Sequence, residues 1–188
     1  MISMGLDYSM TTPAAVVYDS ETGKYNFFYM SKTKSRLRDS DGLESELIDN
    51  VTSIMKDIQD EKIKSSMIRF NHIADFFMKI IDKYKVQEVY LEGYALGARG
   101  MVFSIAENTA ILKQKLFERQ IPVSIFPPTV IKKYATGAGN AKKEKMKKAF
   151  EDKYNYHLNE LVEISHYTEA PYTDVIDAFW ILQYGLQI

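Results

Sequence analysis

The sequence predicts an α/β fold in which a mixed sheet is covered by helices on both faces. Short apolar segments typical of strands come first along the chain. Further strand-like segments then alternate with segments whose apolar residues recur at helical spacing. The 188 residues suit one domain with a sizeable core, and we expect a single domain over residues 1–188.

The first three predicted strands form an antiparallel meander. Residues 2–6 are apolar and end at Asp7, residues 14–18 are apolar and partly β-branched, and residues 25–30 are rich in aromatics. Residues 21–24 carry a turn signal between the second and third of these segments. Close spacing of this kind favours sequential antiparallel pairing.

Helices and two more strands follow. Helical spacing of apolar residues predicts helices at 43–58 and 73–84, with a break near Ser65 and Ser66 between them. Strands are predicted at 86–91 and 122–126, which brings the sheet to five. The remaining predicted helices are 105–116, a brief helix capped by Thr129 and ended by Gly137, 141–154 and 174–187.

Composition limits the class of protein. The chain has no Cys, which excludes disulfides and Cys-ligated zinc. No apolar run approaches the roughly 20 residues of a membrane span, and the N-terminus does not look like a signal peptide. We therefore expect no membrane partner and a cytoplasmic location. The net charge is −1, so any nucleic-acid surface must come from local clusters of basic residues.

Acidic residues stand at informative places. Asp7 and Glu92 each directly follow a predicted strand, and Asp174 and Asp177 share one face near the start of the last helix. Two Mg²⁺ ions about 4 Å apart can hydrolyse a phosphodiester, and carboxylates are their usual protein ligands. With no Lys or Arg expected between them, the four acids would repel one another and favour metal capture. Alternatively, each acid is an ordinary turn or helix-cap residue.

Basic residues crowd one later segment. Lys132 and Lys133 precede Gly137 and Gly139, and Lys142 and Lys143 begin a lysine-rich helix. Glycines permit close approach of the backbone to a ligand, and the amides at a helix start can bind phosphate. The segment thus indicates contact with a nucleic-acid backbone, although a lysine-rich helix start can also be an ordinary solvated face.

At these positions the chain resembles the RuvC family of Holliday-junction resolvases. The similarity extends over about residues 1–30 and 86–187, and its motifs occur in the family's order: Gly5-Leu6-Asp7, Leu91-Glu92, Pro128-Thr129-Val130-Ile131-Lys132, the Gly-x-Gly-x-Ala-x-Lys segment at 137–143, and Asp174-Val175-Ile176-Asp177-Ala178. The combination is more specific than any one motif alone.

The resemblance implies a ribonuclease H-like fold with a mixed five-stranded sheet. It implies a homodimeric endonuclease that cuts Holliday junctions or other branched DNA with two Mg²⁺ ions, for which Mn²⁺ can substitute. By this resemblance the catalytic and metal-binding acids are Asp7, Glu92, Asp174 and Asp177, and the DNA-binding residues include Lys132 and Lys143. From the neighbouring sequence we add Lys133, Lys142, Gly137 and Gly139 to the DNA-binding set.

The chain departs from the family pattern at three places. Tyr8-Ser9 replaces the Pro-Gly that usually follows the first Asp, and Ala95 replaces a frequent aromatic, so we assign Tyr94 to DNA contact instead. A divergent helical segment at about 31–70 has no counterpart, which is compatible with a phage origin. These departures keep open a non-catalytic DNA-binding protein that retains the fold. An ATP-binding relative that also begins with strand-Asp lacks support, because only one glycine-rich loop is present.

Overall fold

The structure, a computed structural model, describes residues 1–31, 43–47, 61–94, 101–154 and 171–188. Six strands form one sheet. In chain order they are β1 (Ile2–Asp7), β2 (Ala14–Asp19), β3 (Lys24–Ser31), β4 (Leu43–Leu47), β5 (Glu88–Glu92) and β6 (Val123–Phe126).

Five helices accompany the sheet within the described ranges. They are α1 (Glu61–Tyr84), α2 (Val102–Glu118), α3 (Pro128–Thr136), α4 (Lys143–Tyr154) and α5 (Tyr172–Gly185). None of them is long and apolar enough to cross a membrane.

The sheet order is β4-β3-β2-β1-β5-β6. β1 pairs antiparallel with β2, and β2 pairs antiparallel with β3. On its other side β1 pairs parallel with β5, which in turn pairs parallel with β6. β1 therefore lies inside the sheet, where neighbours on both sides fix its backbone.

Side-chain alternation along the strands divides the apolar residues between two cores. Successive residues of a strand point to opposite faces of the sheet. Met4 and Leu6 of β1 thus belong to one core with Phe77 of α1 and Leu112 of α2. The strand residues that point to the other face of the sheet pack against α3, α4 and α5. They form a second core with these helices, which includes Trp180.

Gly5 allows α5 to lie directly on β1. A Cβ atom at Gly5 would be 2.4 Å from the carbonyl oxygen of Ala178 and 2.5 Å from the backbone nitrogen of Leu182. Real Cβ atoms essentially never approach backbone atoms this closely. Only glycine at this position is compatible with the observed distance between the strand and the helix.

All five strands predicted from the sequence are present, and the mixed sheet with helices on both faces is confirmed. Aromatic side chains make up much of the core, and Phe76, Phe77, Phe150 and Trp180 are all buried. The last helix begins close to Asp174 as predicted.

Three details of the prediction were wrong. A helix was expected from residue 43, but Leu43–Leu47 is a sixth strand that pairs parallel with β3; residues 48–58 of that expected helix lie outside the described residues. Ser65 and Ser66 lie within the continuous helix α1 instead of at a break. Thr129 is not a helix cap, because α3 begins at Pro128 with Pro127 as its N-cap.

The Gly5 contact leads to a stability prediction. The Gly5→Ala variant should lose about 3 kcal/mol or more of unfolding free energy, because the added methyl collides with backbone atoms that cannot rotate away. Gly23→Ala is the matched control: Gly23 has φ +72° but open space around it, so its cost should be only about 1 to 2 kcal/mol. Chemical denaturation of both variants measures the difference, and equal losses would contradict the proposed role of Gly5.

Candidate active site

The four predicted acids occupy the ends of two neighbouring strands and the first turns of α5. Asp7 is the last residue of β1, and Glu92 is the last residue of β5. Leu6 and Leu91 are partners in the parallel register, so the next position on each strand is an acid. Asp7 shares the sheet face of Gly5, which is the face that α5 covers.

α5 brings the other two acids to the same place. Asp174 and Asp177 are three residues apart and lie on one side of the helix. One carboxylate oxygen from each of Asp7, Asp174 and Asp177 lies within 4.8 Å of the others. Glu92 and Asp7 line a common cavity beside this cluster.

Burial and mutual repulsion make the acids hold their protons more tightly. Burial raises the pKa of Asp7 well above its ordinary value, and the charges of Asp177, Asp174 and Glu92 raise it further. Burial followed by the charge of Asp177 raises the pKa of Glu92 to about 7. Burial also raises the pKa of Asp177 to about 6, although the charge of Lys143 opposes the shift. The cluster therefore has a strong local excess of negative charge.

Lys143 corrects one expectation from the sequence, which was that no Lys or Arg lies between the acids. Its ammonium is 2.6 Å from Asp174 Oδ1 and 3.7 Å from Asp177 Oδ2. It also donates a hydrogen bond to Thr173 Oγ1. Burial would lower the pKa of Lys143, but the charge of Asp174 and its hydrogen bond outweigh burial, and the pKa is raised. Lys143 thus offsets part of the charge of the acidic cluster.

Sequence reasoning missed Thr12. Its hydroxyl donates a hydrogen bond to Asp174 Oδ2, while its backbone N–H donates to Ser9 Oγ at 3.1 Å. Asp174 is therefore held on one oxygen by Thr12 and on the other by Lys143. A threonine in the loop between β1 and β2 gives no sequence signal for such a contact, because its partner is 162 residues away.

The donor set fits a small hard cation. Carboxylate oxygens are the ligands that Mg²⁺ and Mn²⁺ prefer, and the cluster offers three within a distance that one ion can span. The raised pKa values of Asp7, Glu92 and Asp177 show that positive charge would be favourable here. No Cys is available to favour a softer metal.

One family model matches the chain. Residues 43–160, more than half of the chain, match the family model described as crossover junction endodeoxyribonuclease RuvC. The chain belongs to the RuvC family. Glu92, Lys132 and Lys143 lie within the matched range, whereas Asp7 and the two acids of α5 lie outside it. A search of curated protein sequences finds no significant match.

Solved RuvC structures share the fold. Thermus thermophilus RuvC is 13% identical, with a TM-score of 0.58, and the match covers 100% of this chain and 96% of that one. The T. thermophilus enzyme in complex with a Holliday junction is 12% identical, with a TM-score of 0.59, and the match covers 100% and 95%. The mixed sheet and its helices are therefore those of a RuvC fold.

The four lysines predicted to contact DNA differ in how they relate to the acidic cluster. The charge of Lys132 lowers the pKa values of Glu92 and Asp177, so its ammonium is near the acids. Lys133 and Lys142 are exposed, whereas the ammonium of Lys143 is directed toward Asp174. Lys132 and Lys143 thus lie near the acids, while contact of Lys133 and Lys142 with DNA stays a prediction.

The two glycines of this segment have structural roles. Gly137 ends α3 in the left-handed conformation with φ 78°, and its N–H donates to the carbonyl oxygen of Lys133. A Cβ at Gly139 would lie 3.0 Å from the carbonyl oxygen of Thr129. These contacts explain both glycines through the fold of the loop, and the expected contact with DNA stays a prediction.

Tyr94 lies at the edge of the cavity that Asp7 and Glu92 line. Its side chain is exposed, and the ammonium of Lys113 is 5.5 Å from the centre of its ring. Of the three histidines, His72 lies on α1, and His157 and His166 are outside the described residues.

The pKa shifts predict how stability depends on pH. Glu92 and Asp177 have raised pKa values in the folded protein, so folding favours their protonated forms. Their contribution to stability is complete below their ordinary values of 4.5 and 3.8 and is lost as the pH rises through about 7 and about 6. In metal-free buffer the free energy of unfolding should therefore fall between about pH 4 and pH 8.

Glu92→Gln tests this origin directly. At pH 8 the variant should be more stable than the wild type by about 1 to 3 kcal/mol, and the difference should shrink toward pH 4. Denaturant titrations in the presence of EDTA measure both values. Glu107→Gln, on the exposed side of α2, is the control and should change little at either pH. A Glu92→Gln protein no more stable than wild type at pH 8 would rule out a charge penalty at this position.

Proposed function

We propose that this RuvC-family protein is a divalent-metal-dependent endonuclease that cuts Holliday junctions or related branched DNA. The observation that carries the proposal is the convergence of Asp7, Asp174 and Asp177 within 4.8 Å, beside a cavity that Glu92 also lines. The family's description as crossover junction endodeoxyribonucleases supplies the reaction class. Mg²⁺ is the proposed ion, with Mn²⁺ as a substitute.

The four acids would hold the metal. Asp7 is suited to the central position, because it ends a strand that is paired on both sides. Asp174 and Asp177 approach from α5, and Glu92 approaches from β5. When bound, Mg²⁺ would supply activation of the attacking water and stabilisation of charge on the scissile phosphate.

Other residues of the chain position the acids and the DNA. Thr12 and Lys143 each bind one oxygen of Asp174 and so fix the orientation of its carboxylate. We assign the DNA backbone to the lysine-rich segment at residues 132–143. Lysine ammonium groups that neutralise DNA phosphates release condensed counterions, which favours binding. The residues assigned to this contact are Lys132, Lys133, Lys142, Lys143, Gly137 and Gly139, with Tyr94 at the cavity edge.

Replacement of single acids tests the function. Asp7→Asn and Asp177→Asn should each lower Mg²⁺-dependent cleavage of a synthetic four-way junction by more than about 100-fold, since even an outer-shell partner of a metal ligand contributes about 10- to 100-fold. Binding to the junction, measured by gel shift in Ca²⁺, should persist. Cleavage of duplex, flapped and RNA–DNA hybrid substrates under the same conditions defines the substrate preference.

Asp82→Asn is the control, because Asp82 is an exposed acid of α1 that pairs with Arg119. It should cut at the wild-type rate. Normal cleavage by both active-site variants would contradict the proposal. A wild-type protein that binds junctions but cuts no substrate with Mg²⁺ or Mn²⁺ would favour the alternative, a non-catalytic DNA-binding protein with this fold.

We further propose that two copies pair through the exposed face of α2. Phe103, Ala110 and Phe117 recur at seven-residue intervals, so they share one helix face. Phe103 is 83% exposed and Phe117 is 77% exposed. In a two-fold antiparallel helix pair, the small Ala110 would lie near the axis and each Phe103 would approach the other copy's Phe117. Two sites related by such an axis suit symmetric cuts in a four-way junction.

Phe117→Glu tests this surface. In the antiparallel pair each introduced carboxylate would be buried against the other copy's Phe103, so the wild type should sediment as a dimer and the variant as a monomer at micromolar concentration. Ser124→Glu adds the same charge at an exposed position of β6 and should leave the dimer intact. Sedimentation-equilibrium masses distinguish the outcomes, and a monomeric wild type or a dimeric Phe117→Glu variant would refute this interface.

A further inference from the structure

Both carboxylate oxygens of Asp174 have a partner from elsewhere in the chain. The hydroxyl of Thr12 donates to Oδ2, and the ammonium of Lys143 donates to Oδ1 at 2.6 Å. The side chain of Asp174 is only 8% exposed, so water has little access to replace these contacts. A divalent ion that binds Asp174 must therefore fit beside both partners or displace one of them.

The two partners differ in charge and in freedom to move. Thr12 is neutral, and its backbone N–H donates to Ser9 Oγ within the loop after β1. Lys143 carries a positive charge at the end of a long flexible chain, and its side chain is 52% exposed, so the ammonium can turn outward to solvent. Thr12 is suited to remain on Asp174, whereas Lys143 is suited to leave it.

The ammonium of Lys143 lies where the acids need a cation. Besides its contact with Asp174 it is 3.7 Å from Asp177 Oδ2, and its charge lowers the pKa values of Asp7 and Glu92. Mg²⁺ binds carboxylate oxygens at about 2.0–2.1 Å. An ion on Asp174 Oδ1 would lie within about 5 Å of an ammonium held 2.6 Å from the same oxygen, and like charges this close repel strongly in a buried site.

We propose that Lys143 is a built-in counter-ion that releases Asp174 Oδ1 to the divalent ion, while Thr12 is a positioning residue that keeps Oδ2. The inference rests on the proposed function, since it takes the acids to be metal ligands. Lys143 offsets the charge of the acids before the ion binds, and the ion takes over that role afterwards. The displaced ammonium then becomes available to a DNA phosphate, which is the contact assigned to Lys143.

Lys143→Met removes the charge and keeps a flexible side chain. The probe is Mn²⁺ alone, titrated into the protein without DNA and followed by the electron paramagnetic resonance signal of the free ion. The variant should bind Mn²⁺ at least about fivefold more tightly than the wild type, because no group has to be displaced first. Lys143→Gln should show the same tightening. Asp7→Asn should abolish the binding, which identifies the titrated site.

Lys142→Met is the matched control for the change in net charge. It removes the same charge at the adjacent position, which is exposed. Solvent and salt screen an exposed charge, so the affinity for Mn²⁺ should change by less than about twofold.

Thr12→Val should have the opposite effect. Valine has nearly the shape of threonine but no hydroxyl, so Asp174 Oδ2 loses its donor. Mn²⁺ binding should weaken by about tenfold, while Thr12→Ser, which keeps a hydroxyl, should stay within about twofold of the wild type. A packing role for Thr12 would give the reverse order, because valine fills the space and serine does not.

The signs of the two effects decide the inference. Lys143 variants that bind Mn²⁺ no more tightly than the wild type overturn the counter-ion, and a Thr12→Val protein that binds as tightly as the wild type overturns the positioning role. Thermal melts in Mn²⁺, expected within about 3 °C of the wild type for the Lys143 variants, show that they are folded.

The titration also separates this inference from the nuclease. Because no DNA is present, a wild-type protein that binds Mn²⁺ but cuts no junction contradicts the nuclease while the Lys143 and Thr12 variants still decide the inference. A wild-type protein that cuts junctions, with Lys143 variants that bind Mn²⁺ no more tightly, overturns the counter-ion alone. Failure of the wild type and of both Lys143 variants to bind Mn²⁺ overturns both proposals.

Discussion

The close contact between Gly5 of β1 and the backbone of α5 determines the geometry of everything nearby. The first acid ends the strand that carries Gly5, and two more acids occupy the first turns of the helix that Gly5 admits. A side chain at residue 5 would displace the helix from the strand. The distance among the three carboxylates is thus set by a packing contact of residues that carry no charge. A glycine in a buried strand normally weakens it, and here it allows the site to form.

The same packing imposes an electrostatic cost. Four acids that are buried together raise the pKa values of at least three of them, and Lys143 offsets only part of their charge. A site of this kind is unfavourable for the folded protein without a cation and favourable with one. Thr12 and Lys143 meanwhile hold both oxygens of Asp174, so the carboxylate is oriented before any ligand arrives. The acidic cluster therefore lowers the stability of the metal-free protein and provides ligands for a cation.

Local sequence patterns predicted much of this structure because the dominant signals are local. Alternation and helical spacing identified five strands and the principal helices, and positions after strands identified Asp7 and Glu92. Leu43 and Leu47 illustrate the limit: their spacing fits a helix, yet β3 offers an edge where the backbone of these residues completes its hydrogen bonds as β4. The two serines of α1 similarly weaken a helix only in isolation, since the apolar residues that α1 buries from Ile73 onward stabilise it through tertiary packing.

The sequence by itself determined five of the six described strands, the principal helices and the placement of the four acids at element ends, because these follow from residue type and short-range periodicity. Only the tertiary structure decided that Lys143 enters the acidic cluster, that Thr12 holds Asp174, and that a cavity adjoins Asp7 and Glu92. Each of these joins segments far apart in the chain. Their proximity depends on how closely α5 and α2 pack against the sheet, and no local pattern of residues encodes that distance.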